Sequence, residues 1–66
     1  MNTVKVIEII GTSENSWEDA AKQALKDAEK SVENISGIEV VSQTADVESN
    51  EIKYYKTAVR VAFKVK

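Results

Sequence analysis

At 66 residues, with no cysteine and no histidine, the chain is read as one small domain that neither disulfides nor a zinc site of the usual nitrogen or sulfur type can hold together. A net charge of −2 and a pI of about 5.0 argue against nucleic acid as a partner. A domain of this size buries only about 60% of the surface its unfolded chain exposes, so self-association is the expected remedy.

The opening MNTVKVIEII has neither the basic start nor the long apolar core of a secretion signal. No apolar run approaches the roughly 20 residues of a membrane span, and a cytoplasmic location is expected. Residues 3–10, TVKVIEII, are rich in β-branched side chains and stop at Gly11, which predicts a strand and then a turn. Thr12 and Ser13 then hydrogen-bond the loop's own backbone, and Ser16 is the expected N-cap, with Asp19 completing a shortened capping box. One glycine and no nearby lysine make a poor phosphate cradle, and Glu14, Glu18 and Asp19 would repel an anion there.

From Trp17 the period becomes helical. Trp17, Ala20, Ala21, Ala24, Leu25, Ala28, Val32 and Ile35 recur at spacings of three and four and predict a helix over about 17–35, stopped by Ser36-Gly37. Its length would be roughly 28 Å. The last third reads as a hairpin with strands over about 38–47 and 52–65 around Ser49-Asn50. Glu39, Asp46, Glu48 and Glu51 lie on the first half, while Lys53, Lys56, Arg60, Lys64 and Lys66 lie on the second. A two-residue turn sets Asp46 opposite Lys53, Glu39 opposite Arg60 and Gln43 opposite Lys56, so the charge asymmetry becomes an acidic strand beside a basic one.

The fold class that follows is α+β, with order β-α-β-β and a three-stranded antiparallel sheet packed on one helix, spanning 1–66 as a single domain. The 52–65 strand is expected at the centre. Ile38, Val40, Thr57, Val59, Val61, Phe63 and Val65 share the face the helix covers. Val41, Ala45, Val47, Ile52, Tyr54, Ala58 and Ala62 remain on a back face with no shield. Two open edges add to the deficit, so the monomer is not expected to be stable alone.

Gly11-Thr12-Ser13 before the helix, SVEN at 31–34, EVV at 39–41 and YKTAVRVAFK at 55–64 together resemble the dodecins, over essentially the whole chain. The resemblance implies twelve copies assembled as a hollow homo-oligomeric cage that sequesters small molecules without catalysis, typically flavins stacked in pairs between aromatic rings. It also implies a flavin pocket with a tryptophan at the start of the second strand and a glutamine on the third. Those positions here are Gly37 and Lys56, with Gln43 and Tyr54 as neighbouring polar and aromatic candidates. Flavin binding is therefore expected to be weak or absent.

The pattern Thr12-Ser13…Ser16-Trp17, without the strand-two tryptophan, looks closer to the dodecin branch that binds calcium. Calcium needs six to eight oxygens, and Glu8, Glu14, Asp19, Asp46, Glu48 and Glu51 are the candidate donors. A ligand-free structural oligomer and a conventional flavin-sequestering dodecin are the alternatives. An enzyme is not expected, because no histidine, cysteine or paired carboxylates offer a general base near neutral pH.

Overall fold

The structure is a computed structural model that describes residues 3–65, so Lys66 lies outside the described residues. The order is β1 (Thr3–Ser13), α1 (Trp17–Glu29), β2 (Ile35–Glu48) and β3 (Glu51–Val65). The three strands form one sheet in the order β1-β3-β2, with β3 antiparallel to both neighbours. No helix among the described residues is long and apolar enough to cross a membrane.

Gly11 does not make the predicted turn. It stays in β1 opposite Thr57, with no left-handed backbone angle. Its missing side chain serves packing instead. A Cβ there would fall inside contact distance of the Ala20 carbonyl oxygen and 2.9 Å from the Ala24 nitrogen. Glycine on the strand and alanines at 20, 24 and 28 on the helix let two backbones approach closely, and all three alanines are buried. The core they close holds Val59 and Val61, with Ile7, Ile9, Ala21, Val32 and Ile35 packed around it.

The helix is shorter than its apolar stripe. It ends at Glu29, where the Lys30 N–H bonds back to the Asp27 and Ala28 carbonyls, and Ser36-Gly37 already belongs to β2. The left-handed residue that redirects the chain is Asn34, with φ of 61°. Val32 and Ile35 still reach the core from the connecting turn and the start of β2, which explains why their spacing mimics helix.

Ser49 and Asn50 form the hairpin turn, both with positive φ as a type I′ turn requires. Glu39 lies opposite Arg60 as expected, but Asp46 faces Tyr54 rather than Lys53, and Gln43 faces Thr57 rather than Lys56. The cause is a pair of offsetting irregularities. An extra residue on β3, Lys53, shifts the ladder by one, and an extra residue on β2, Val41, shifts it back. Between them Ala45 pairs with Tyr55, away from the back face assigned to it, while Ser42, Thr44 and Asp46 pair with Ala58, Lys56 and Tyr54.

The helix lies over β1 and β3 and leaves most of β2 open. Val59, Val61 and Thr57 are completely buried beneath it, whereas Ile38 and Val40, expected under the same cover, are 41% and 50% exposed. Thirteen helical residues span about 20 Å against about 50 Å for the fifteen of β3, so the hairpin overhangs its lid. The molecule is accordingly long and thin, 52 × 19 × 13 Å. Its radius of gyration is 13.4 Å, against about 11 Å for a compact chain of this length.

Candidate functional site

The junction between β1 and α1 is built by two serines. Ser16 caps the helix, its Oγ accepting from the Asp19 N–H at 2.9 Å. Ser13, buried at the end of β1, donates its hydroxyl to Asp19 Oδ2 at 2.7 Å and accepts from the backbone N–H of Asn15 (2.9 Å) and Ser16 (3.4 Å). Asp19 thus binds Ser13 rather than closing a capping box on the Ser16 nitrogen. Beside this junction is an open recess of about 520 Å³ whose polar wall includes Glu14, Asn15, Asp19, Gln23 and Asp27. Asp27 and Gln23 were not among the sequence candidates, since their helical spacing reads as ordinary solvated surface.

Trp17 ties the helix start to both hairpin strands. Thr57 Oγ1 donates to its backbone carbonyl at 2.8 Å, and its indole N–H donates to the Thr44 carbonyl at 2.7 Å. The indole also meets the Tyr55 ring edge-on, with centroids 4.8 Å apart. The indole's bond to an edge-strand carbonyl had no signal in the sequence.

On the back of the sheet, Arg60 sits at the centre of a row that crosses all three strands. Its Nε meets Glu8 on β1 at 3.3 Å and its Nη1 meets Glu39 on β2 at 3.5 Å. Around it the face is apolar and open: Val4, Val6 and Ile10 of β1 are each more than half exposed. The sequence placed Glu39 beside Arg60; Glu8 entered only once the β1–β3 register was known.

The four flavin-pocket positions do not converge within one subunit. Gly37 lies opposite Ala62, beside a shallow hollow of about 260 Å³ shared with Val6, Ile38, Glu39 and Arg60. A Cβ on Gly37 would meet nothing within 4 Å. Lys56 lies six residues from Ala62 along β3, about 20 Å away, with its ammonium 3.1 Å from Asp46. Tyr54 is opposite Asp46, with the Lys53 ammonium 5.7 Å from its ring centre. Gln43 is opposite Thr57, on the helix side of the sheet.

The six candidate calcium donors do not gather in one place, although Glu14 and Asp19 share the recess wall and Glu48 and Glu51 face each other at the hairpin end. Glu8, Asp46 and Glu48 are each in an ion pair, Asp19 is bonded to Ser13, Glu14 lines the recess, and Glu51 is opposite Glu48 at the hairpin end. Among the described residues, no three acids, histidines or cysteines group as a metal site would require. The carboxylates of one subunit alone do not supply a six-to-eight-oxygen shell.

Residues 3–66 match the family model for dodecin. The calcium dodecin of Mycobacterium tuberculosis is 41% identical over 66 residues, covering all of this chain and 93% of that protein. The crystal structure of the calcium dodecin from that organism, whose name describes it as a calcium-chelating antigen, superposes with a TM-score of 0.84 at 42% identity, covering 97% of this chain and 91% of that one. A Thermus thermophilus dodecin variant superposes more closely, with a TM-score of 0.95 at 27% identity, covering all of this chain and 98% of that one. Backbone likeness and sequence likeness therefore rank these relatives in opposite orders.

Proposed function

The chain belongs to the dodecin family, and from that premise we propose that it is a non-catalytic cytoplasmic protein that works as a closed homo-oligomer, a dodecamer, and holds a small ligand or ion between its copies, calcium before flavin. The observation that carries the assembly is surface. The exposed area is 4915 Å², about 750 Å² more than a compact monomer of 7.3 kDa shows. That surplus is nearly one partner's share of a standard interface, about 800 Å².

Calcium comes first because of the 41% identical relative and because the flavin contacts are absent. At Gly37 there is no ring to stack on, and the Lys56 ammonium is paired with Asp46. Since no three acids gather within one described subunit, a calcium site would draw its remaining oxygens from backbone carbonyls, water or a second copy. The scattered acids equally favour a second reading, an oligomer that needs no ligand.

Native mass spectrometry of the undenatured protein, with calcium added and then chelated, separates these readings. Twelve copies with retained calcium, melting lower after chelation, supports the first. The same assembly indifferent to calcium supports the second. Isolated subunits at micromolar concentration would refute both, and stoichiometric yellow flavin would restore the conventional family ligand.

A further inference from the structure

β2 changes its register on β3 and then changes it back. From Gly37 to Val40, and again at Val47 and Glu48, it keeps the pairing set by the two-residue turn. Between these stretches residues 42–46 sit one position out, and the step is taken and undone by two extra residues, Val41 on β2 and Lys53 on β3. Each bulge leaves its extra residue out of the ladder. Because the two cancel, a second pairing exists that needs neither. It is a continuous ladder from Gly37 to the turn, with six residue pairs between Val40 and Val47 in place of the observed five.

Little in the segment itself chooses between the two. Ser42, Gln43, Thr44 and Asp46 are polar and exposed, and half-buried Ala45 is its one apolar side chain. A strand that is polar on both faces specifies its register weakly, whereas a buried face would fix it. The charges decide little. The pairs of Asp46 with Lys56 (3.1 Å) and Glu48 with Lys53 (2.9 Å) are solvent-screened, and the continuous ladder sets Asp46 opposite Lys53. β3, by contrast, is held in place. Thr57 is completely buried and donates to the Trp17 carbonyl, and Tyr55 meets the indole edge-on. The strand free to slide is β2.

One contact does choose. The Trp17 indole N–H donates to the Thr44 carbonyl at 2.7 Å, in the middle of the displaced segment. Successive residues of a strand turn their side chains to opposite faces and their carbonyls to opposite edges. A slip of one residue therefore turns the Thr44 carbonyl away and breaks the bond. The same slip carries Gln43 and Ala45 from the helix side to the back, and Ser42, Thr44 and Asp46 the other way.

We propose that residues 42–46 of β2 form a two-register switch, latched in the bulged register by the Trp17 indole and released into the continuous one when that bond breaks. The switch decides which face of the sheet presents the Asp46 carboxylate. It lies within one subunit and rests on neither the assembly nor the ligand proposed above.

Engineered disulfides read the register directly, since the chain has no cysteine of its own. Thr44→Cys with Lys56→Cys joins residues that are opposite in the bulged register. Gln43→Cys with Lys56→Cys joins residues that are opposite only in the continuous one and otherwise point to different faces of the sheet. Both pairs lose the same lysine, so their ratio is unaffected by that loss. Equilibrated in a glutathione buffer, the 44–56 bridge should close fully and the 43–56 bridge only in part. Trp17→Phe keeps a ring against Tyr55 and removes the donor. It should raise closure of 43–56 relative to 44–56 about fivefold, the worth of one hydrogen bond. Deleting Lys53 leaves the other bulge uncancelled and should abolish the 43–56 bridge in either background, which keeps the test decisive if Trp17→Phe does not fold. A ratio unmoved by Trp17→Phe would overturn the switch. So would a 43–56 bridge that survives the deletion, or one that a non-reducing gel shows only between chains.

Discussion

Replacing Gly11 by alanine is the sharpest test of how the helix is seated. The added Cβ would point at the Ala20 carbonyl oxygen and lie 2.9 Å from the Ala24 nitrogen, so both obstacles are backbone and neither can rotate aside. The helix would have to lift from β1, loosening Ala24 and Ala28 against Val59 and Val61. Overpacking of this kind costs about 1–3 kcal/mol, and rigid neighbours put Gly11→Ala near the upper end. For a domain of this size that lowers Tm by about 10–20 °C. Gly37→Ala is the matched control, since its Cβ meets nothing within 4 Å and its φ is not positive. It should change stability by no more than about 1 kcal/mol, with stabilisation the expected sign because the unfolded chain loses freedom. Calorimetry at one fixed protein concentration compares the two, since association itself raises Tm. A Gly11→Ala protein that melts no lower than Gly37→Ala would show that the close approach of strand and helix is not the constraint described.

Three other outcomes follow from contacts already described. Thr57→Val keeps the shape of a completely buried side chain but removes the donor to the Trp17 carbonyl, and should cost about 1–3 kcal/mol in chemical denaturation; an unchanged midpoint would mean water replaces the hydroxyl. Ser16→Ala should cost about 1 kcal/mol and lower helical circular dichroism, by losing the cap on the Asp19 N–H. Gly37→Trp combined with Lys56→Gln should raise flavin affinity about 5- to 140-fold, the worth of one restored stacking ring; fluorescence titration showing no gain would mean that the pocket is closed by other side chains.

Most of the architecture was legible because its signals are local. The β-branched run of β1, the alanine stripe of α1 and the Ser49-Asn50 turn each depend on a few neighbouring residues, and the central place of β3 follows from the β-α-β-β order. The register failed between Val41 and Lys53 because the charge pattern does not distinguish the two solutions. Asp46 finds Lys56 instead of Lys53, Lys53 finds Glu48, and the strand remains acid beside base either way. The helix was drawn too long because burial, not helicity, sets the spacing of Val32 and Ile35. Cover over Ile38 and Val40 was misjudged because one helix spans two strands, and which two depends on the close seat at Gly11. The flavin-pocket positions were named from the family resemblance. The separation of Gly37 from Lys56 follows from the hairpin register, which sets Gly37 opposite Ala62 as the two-residue turn requires, whereas a pocket shared between copies leaves no pattern in one chain.

Trp17 is the chain's one tryptophan, and it touches a strand that the rest of the helix scarcely reaches. Its emission therefore gauges a single joint, the grip of the helix start on β2, without any label. Should a ligand or a neighbouring copy pull the hairpin away, the indole would lose its carbonyl and meet water, shifting its colour before the remainder of the molecule had loosened.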